Sequence, residues 1–123
     1  MAVSVVTVDD QAVFRGVARE LIEATAGFEA VGEAESGEAA LAVVDELRPE
    51  LVLVDVRMPG MDGIETSQRI KERHPSTVVV LISIEGLSNI PSGAADCGAA
   101  TLVRKQEFGP AKLRDIWNKH GTA

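Results

Sequence analysis

The chain has 123 residues, of which 46% are hydrophobic and 25% charged, and this composition predicts one globular domain over residues 1–123. No apolar run approaches the roughly 20 residues of a membrane-spanning helix, so we expect a cytoplasmic protein without membrane contacts. The formal net charge of −7 argues against tight nucleic-acid binding by this chain alone, because clustered Lys and Arg hold phosphate backbones. The single cysteine, Cys97, excludes an internal disulfide, and we expect a small buried side chain there rather than a reactive thiol.

Short β-branched runs alternate along the chain with stretches of helical period. This alternation predicts a parallel sheet covered by helices on both faces. The central strands are continuously apolar, as buried parallel strands are. The predicted strands are Val3–Val8, Phe28–Ala34, Leu51–Val54, Val78–Ile82 and Thr101–Val103.

Helices are predicted between and after these strands. The main ones are about Gln11–Ala26, a second with Ser36 as its N-cap that runs to about Arg48, a third between Gly63 and Pro75, and a last one after Pro110. The first helix places one apolar stripe at three- and four-residue spacings: Phe14, Val17, Ala18, Leu21, Ile22 and Thr25. Before the fifth strand, Gly86, Pro91 and Gly98 limit any further helix to about seven residues.

Polar and charged residues follow the predicted strands at their carboxyl ends, where the functional residues of open α/β sheets collect. Asp9 and Asp10 follow the first strand, and Asp55 follows the third. Ser83 follows the fourth strand and Lys105 the fifth. Three carboxylates in one cleft repel one another unless a cation lies among them, and oxygen ligands select a hard ion such as Mg²⁺.

This set of side chains suits phosphoryl transfer, which needs positioning and charge neutralisation more than covalent chemistry by the protein. Asp55 is the candidate nucleophile. Asp9 and Asp10 are expected to hold the metal directly or through water. Lys105 is expected to neutralise one phosphate oxygen, and Ser83 to donate a hydrogen bond to another.

Three parts of the sequence carry a resemblance to a known family. They are Val8-Asp9-Asp10, the run from Leu53 to Gly63 with its Asp-x-x-Met-Pro-Gly-Met-Asp-Gly pattern, and the pair Ser83 and Lys105. Together they resemble the receiver domains of two-component response regulators, and most closely those that precede a LuxR-type helix-turn-helix domain. The resemblance implies a flavodoxin-like α/β fold: a three-layer, doubly wound, five-stranded parallel sheet with strand order 2-1-3-4-5.

The resemblance also implies the function and the role of each residue. A sensor histidine kinase would phosphorylate Asp55, with Ser83 as the switch hydroxyl and Lys105 as the ion-pair partner of the phosphate. Such a domain is a phosphoacceptor and not an enzyme, apart from its own phosphotransfer and autodephosphorylation. The implied ion is Mg²⁺, with Mn²⁺ as the alternative, and its ligands are Asp9, Asp10, Asp55 and the backbone carbonyl of Arg57.

The implied output is control of a partner or of a further domain, with transcription regulation as the expected process. The resemblance allows a homodimer, and it allows a DNA-binding domain that lies C-terminal to this chain. It implies no direct contact of this chain with nucleic acid.

Several positions depart from the family's usual residues. Leu102 stands where many receivers carry Tyr or Phe, Ile84 replaces a small residue, and Gln106 replaces a proline that often follows the lysine. We expect Arg57 and Glu85 to form an ion pair across the mouth of the site. We also expect the short helix before the fifth strand to reorganise when Ser83 binds phosphate.

Three other interpretations of the sequence stay open. A haloacid-dehalogenase-like phosphatase also uses an Asp nucleophile, but it needs a second Asp two residues later, where Arg57 stands. A flavodoxin-like cofactor binder needs a phosphate loop after the first strand, where Asp9 and Asp10 would repel the flavin phosphate. The third is a receiver-like interaction module that is never phosphorylated.

Overall fold

Strands and helices alternate along the part of the chain that the structure describes, residues 2–84 and 93–121 of a computed structural model. The elements, in chain order, are β1 (Val3–Val8), α1 (Ala12–Glu23), β2 (Phe28–Ala34), α2 (Gly37–Leu47), β3 (Leu51–Asp55), α3 (Gly63–Arg73), β4 (Val78–Ser83), β5 (Thr101–Arg104) and α4 (Pro110–His120). Two short 3₁₀ turns, Ala94–Asp96 and Lys105–Glu107, flank β5. No helix within the described ranges is long and apolar enough to cross a membrane.

The strands form one five-stranded parallel sheet in the order β2-β1-β3-β4-β5. This architecture confirms the predicted fold class and strand order. The strand order reverses between β1 and β3, and a crevice opens at their carboxyl ends, as it does in open α/β sheets generally.

Each sheet face carries its own hydrophobic core, because successive side chains of a strand point to opposite faces. On one face, Val6, Val52 and Val54 pack with Val44 of α2 and Ile70 of α3. On the other face, the core contains buried residues of the central strands, α1 and α4: Val5, Leu51, Leu53, Val80, Ile82, Ala18, Ile22, Leu113 and Ile116. The two cores establish the three-layer arrangement that the alternating sequence pattern predicted.

Local signals explain where the middle helices begin and end. Ser36 caps α2 by accepting a hydrogen bond from the backbone N–H of Ala39 at 3.1 Å, and Arg48 ends that helix in the left-handed region. Asp62 caps α3 by accepting from the N–H of Glu65 at 2.9 Å. Side-chain caps of this kind satisfy backbone donors that have no partner inside the helix.

The first helix is shorter than its periodicity predicted, since α1 ends at Glu23 rather than near Ala26. Residues 24–26 form a turn in which the N–H of Thr25 donates to the carbonyl of Ile22 at 3.0 Å. Gly27, with φ of +90°, then reverses the chain into β2. Val17, predicted in the buried stripe, is 45% exposed because α1 turns Ala18 and Ile22 toward the sheet.

Two predictions concern residues that the structure does not describe. Glu85, the expected partner of Arg57, lies outside the described ranges. So does most of the segment in which a short, reorganising helix was predicted. At the end of that segment, Ala94–Asp96 form a single 3₁₀ turn, and Gly98 has φ of +92°.

Candidate functional site

The polar residues that follow the strands converge at the carboxyl edge of the sheet. They line a small cavity of about 170 Å³ formed by Asp10, Gln11, Asp55, Arg57, Ser83, Ile84 and Lys105. A larger groove of about 820 Å³ runs along α3, and its lining does not include Asp9, Asp10, Asp55, Ser83 or Lys105. Five of the six predicted site residues therefore line the smaller cavity.

Three carboxylates form the acidic part of this site. Asp9, Asp10 and Asp55 each offer an oxygen within 4.8 Å of the other two. Asp9 is fully buried, Asp55 is 8% exposed, and Asp10 is exposed. One carboxylate of the group is therefore open to solvent while the others lie beneath it.

The two oxygens of the Asp9 carboxylate have different partners. Oδ1 accepts from the backbone N–H of Gln11 at 2.8 Å. Oδ2 forms an ion pair with Lys105 Nζ at 2.7 Å. Three clustered carboxylates against one ammonium leave an excess of negative charge, so this acidic group fits a cation.

Lys105 places the positive charge of the site between two of the carboxylates. It follows β5 in the turn Lys105–Glu107, and its side chain is 12% exposed. Nζ lies 2.7 Å from Asp9 Oδ2 and 3.8 Å from Asp55 Oδ2. The ammonium also lies 4.6 Å from the centroid of the Phe14 ring.

The electrostatics of Asp55 differ from those of an ordinary surface aspartate. Burial, followed by repulsion from Asp9, raises the pKa of the Asp55 carboxyl from 3.8 to about 6. Lys105 and a hydrogen bond from the Arg57 backbone act in the opposite direction and limit this rise in pKa. Asp55 is thus ionised at neutral pH, but at a free-energy cost that an added positive charge would remove.

The backbone around Asp55 is held on two sides. The N–H of Val56 donates to the carbonyl of Ile82 at 2.9 Å, and the N–H of Gly63 donates to the carbonyl of Val56 at 2.9 Å. A Cβ on Gly63 would lie 2.1 Å from the carbonyl oxygen of Asp55. Only glycine permits this close approach, which explains why α3 begins with that residue.

Ser83 and Ile84 form the side of the cavity at the end of β4. Ser83 is the last residue of β4, pairs in register with Arg104 and is 3% exposed. Ile84 is 69% exposed at the cavity rim. The hydroxyl therefore lies under the rim, and the large apolar side chain lies at the entrance.

All six residues predicted for the site, namely Asp9, Asp10, Asp55, Arg57, Ser83 and Lys105, thus lie at this edge of the sheet. Three strands are each one polar residue longer than predicted, because β3 continues to Asp55, β4 to Ser83 and β5 to Arg104. The sheet pairing extends through these residues, since Asp55 pairs with Ile82. The roles predicted for the six side chains remain proposals.

The sequence did not single out three site neighbours that lie at the start of α1. Gln11 donates to Asp9, and Phe14 contacts the Lys105 ammonium. Arg15 donates from Nη1 to the carbonyl oxygen of Asp9 at 2.7 Å, and its Nε lies 3.4 Å from Glu33 Oε1. The apolar periodicity of α1 marked Phe14 as core, and no sequence pattern shows that Glu33 of β2 reaches Arg15.

The chain matches known proteins over almost its whole length. The profile of the response regulator receiver domain matches residues 5–118. The response regulator GacA of Pseudomonas viridiflava is 36% identical over 104 residues, which cover 84% of this chain and 48% of GacA. A protein-glutamate methylesterase/protein-glutamine glutaminase of Hahella chejuensis is 36% identical over 109 residues, which cover 87% of this chain and 31% of that protein.

Solved structures agree with the sequence comparisons. The signal receiver domain of NarL from Mycobacterium tuberculosis superposes with a TM-score of 0.86 at 30% identity, covering 97% of this chain and 96% of that one. The chain spans between about a third and a half of the length of the two curated relatives described above. The fold, the matched profile and the set of residues at the sheet edge together lead to one conclusion: the chain belongs to the response regulator receiver domain family, whose members signal to an output domain through phosphorylation.

Proposed function

We propose that Asp55 accepts a phosphoryl group from a sensor histidine kinase and that the resulting conformational change controls an output. The observation that supports this most strongly is the position of Lys105, whose Nζ lies between the carboxylates of Asp9 and Asp55 at 2.7 Å and 3.8 Å. An acceptor carboxylate, an acidic pair and one ammonium are the groups that phosphoryl transfer to an aspartate requires.

In the proposed reaction, a carboxylate oxygen of Asp55 forms a bond to phosphorus and the N–P bond of a donor phosphohistidine breaks. The donor histidine keeps the electron pair of that bond and takes up a proton. Lys105 would pair with one phosphoryl oxygen, and the Ser83 hydroxyl would donate to another. These side chains orient the transferring group and neutralise its charge.

The metal ligands in this proposal are Asp9, Asp10, Asp55 and the backbone carbonyl of Arg57. The cluster of three carboxylates, of which Asp10 is exposed, fits Mg²⁺, which keeps several waters and binds through few carboxylates, with Mn²⁺ as the alternative. When bound, the ion supplies positive charge that stabilises the transferring phosphoryl group. Before it binds, the role of the Asp9 carboxylate is to hold the Lys105 ammonium inside the cavity.

The output of the signal lies outside this chain. The relatives named response regulator extend beyond the matched region, and we propose a C-terminal DNA-binding domain of LuxR type and a role in cytoplasmic transcription control. A homodimer would fit that output. The esterase activity in the name of the Hahella protein is a property of that protein, of which this chain covers 31%, and we propose no such activity here.

Labelling with a small phosphodonor tests the proposed function. The chain is incubated with acetyl phosphate and Mg²⁺ and its intact mass is measured. We expect the addition of one phosphoryl group, lost on hydroxylamine treatment, and no addition to the Asp55→Asn variant. Removing Lys105 should slow labelling with metal binding retained, whereas Asp10→Asn should weaken Mg²⁺ binding. An unlabelled parent chain would contradict the proposal and would favour an interaction module that is not phosphorylated. A labelled Asp55→Asn variant would also contradict it.

A further inference from the structure

We propose that Phe14 is a positioning residue for phosphoryl transfer, because the face of its ring holds the Lys105 ammonium in the cavity. The inference rests on the proposed function, since it assigns to Phe14 the placement of the charge that receives the phosphoryl group. It adds to the six predicted site residues a side chain that has no polar atom.

The ammonium of Lys105 has carboxylates on one side and an aromatic ring on another. Nζ lies 4.6 Å from the ring centroid of Phe14, within the range of about 6 Å for a cation–π contact. The same atom is 2.7 Å from Asp9 Oδ2 and 3.8 Å from Asp55 Oδ2. The lysine side chain is 12% exposed, so water screens these contacts only weakly.

The ring is fixed relative to the acidic loop after β1. Phe14 lies in the first turn of α1, is half-buried and packs against the core on that face of the sheet. The next residue, Arg15, donates to the carbonyl oxygen of Asp9 at 2.7 Å. Gln11, which precedes the helix, donates to the Asp9 carboxylate at 2.8 Å. The start of α1 and the acidic loop therefore form one unit, and the ring belongs to it.

Lys105 needs such a restraint because its charge is at the end of a flexible four-carbon stem. Ordering that stem costs conformational entropy, and an ammonium beside an open cavity competes with its own hydration. In the proposed reaction the ammonium must also exchange a carboxylate partner for a phosphoryl oxygen. A ring face attracts the cation without a fixed hydrogen-bond direction. Phe14 can therefore keep Lys105 in the cavity before and after the exchange.

The expected effect is on the rate of labelling and not on metal binding. Phe14→Leu keeps most of the apolar volume and removes the ring. From the usual strength of cation–π contacts, we expect labelling at saturating Mg²⁺ to be about threefold to thirtyfold slower, with little change in the half-saturating Mg²⁺ concentration. Phe14→Tyr and Phe14→Trp retain an aromatic face and should retain most of the rate.

A spectroscopic measurement tests the contact independently of labelling. Protons held over the face of a ring resonate upfield, so the side-chain methylene protons next to Nζ of Lys105 should show an upfield shift in the metal-free parent chain. The shift should disappear in Phe14→Leu. Replacing Phe14 by phenylalanines with one, two and three ring fluorines withdraws electron density from the ring face at nearly constant shape. Labelling should then slow stepwise as fluorines are added.

Phe28→Leu is the matched control. Phe28 is also half-buried and packs against the same core, but it lies at the start of β2, at the opposite end of the strands from Lys105. It should label at the parental rate. Equal slowing in both leucine variants, a flat fluorine series, or the absence of an upfield shift in the parent would each overturn the inference. A parent chain that is not labelled at all would overturn the proposed function and the positioning role with it, while the chemical shift would still report whether the contact exists.

Discussion

Asp55→Asn should stabilise the metal-free protein at neutral pH, although it removes the proposed phosphoacceptor. In the parent chain, burial and the charge of Asp9 raise the pKa of Asp55 from 3.8 to about 6. The folded protein therefore holds this proton more tightly than the unfolded chain does. The ionised carboxylate thus opposes folding, and an amide of the same shape carries no charge.

The size of the effect follows from the shift in pKa. A rise from 3.8 to about 6 is about two pKa units, and each unit corresponds to about 1.4 kcal/mol, so the ionised group costs at most about 3 kcal/mol. The cost develops as the pH rises from 3.8 through about 6 and is complete above that range. This cost already includes the attraction of Lys105, which lowers the pKa, so we expect the amide to gain up to about 3 kcal/mol at about pH 7.5. At about pH 4.5 roughly a third of that gain should remain.

Urea unfolding with a chelator present, followed by far-UV circular dichroism, measures this difference in the free energy of unfolding. Adding Mg²⁺ should narrow or reverse the difference, since a ligand that binds the folded parent chain more tightly stabilises that chain more. A variant that is less stable than the parent near neutral pH without metal would refute the account of Asp55 electrostatics. So would a stability gain that is the same at both pH values.

Three further changes test other parts of the structure. Gly63→Ala should destabilise the fold by about 3 kcal/mol or more in urea unfolding, because the added Cβ would lie 2.1 Å from the carbonyl oxygen of Asp55. Unchanged stability would show that the backbones of Gly63 and Asp55 are further apart than described. Arg15→Met should weaken Mg²⁺ binding measured by fluorescence or calorimetry, because it removes the hydrogen bond to the carbonyl oxygen of Asp9. The control Arg19→Met removes the other arginine partner of Glu33 and should leave Mg²⁺ binding unchanged. Asp45→Asn should lower the free energy of unfolding near neutral pH but not in strong acid. A hydrogen bond from His74, at the end of α3, lowers the pKa of the Asp45 carboxyl below 3.8, against a smaller opposing effect of desolvation. The stabilising contribution of the Asp45 carboxylate therefore disappears as the pH falls through this lowered pKa. A loss of urea midpoint that is equal at all pH values would contradict that assignment.

Much of the fold could be predicted because its signals are local. The apolar run from Leu51 to Val54 indicates a strand buried on both faces, and all of its residues are fully buried. Ser36 and Asp62 mark helix starts through caps that need only the next few residues. The end of α1 was predicted less well, because its apolar spacing continues to Thr25, which is buried in the turn beyond the helix.

The positions of the candidate site residues could be predicted from the sequence, but the contacts that support them could not. The sequence places Asp9, Asp55 and Lys105 after three parallel strands, and such strands end at one edge. The contact between Phe14 and Lys105 joins the first helix to the turn after the last strand, a relation that no spacing encodes. Likewise, the pKa of Asp55 depends on burial and on a neighbouring charge that only the assembled sheet brings together.

The close approach of Gly63 to the carbonyl of Asp55 has a consequence for how a signal could leave the site. The start of α3 lies against the carbonyl of Asp55, and Ile82 of β4 accepts a hydrogen bond from the following residue, so the backbone of the proposed acceptor is held on two sides. Because this backbone is held, we expect the side chains around a new phosphoryl group, rather than the Asp55 backbone, to move. Ser83 and Lys105 are the candidates, and both lie on the side of the sheet edge formed by β4 and β5. Asp55 would then stay in place, and the surface that a partner binds would move only on the β4 and β5 side of the sheet edge.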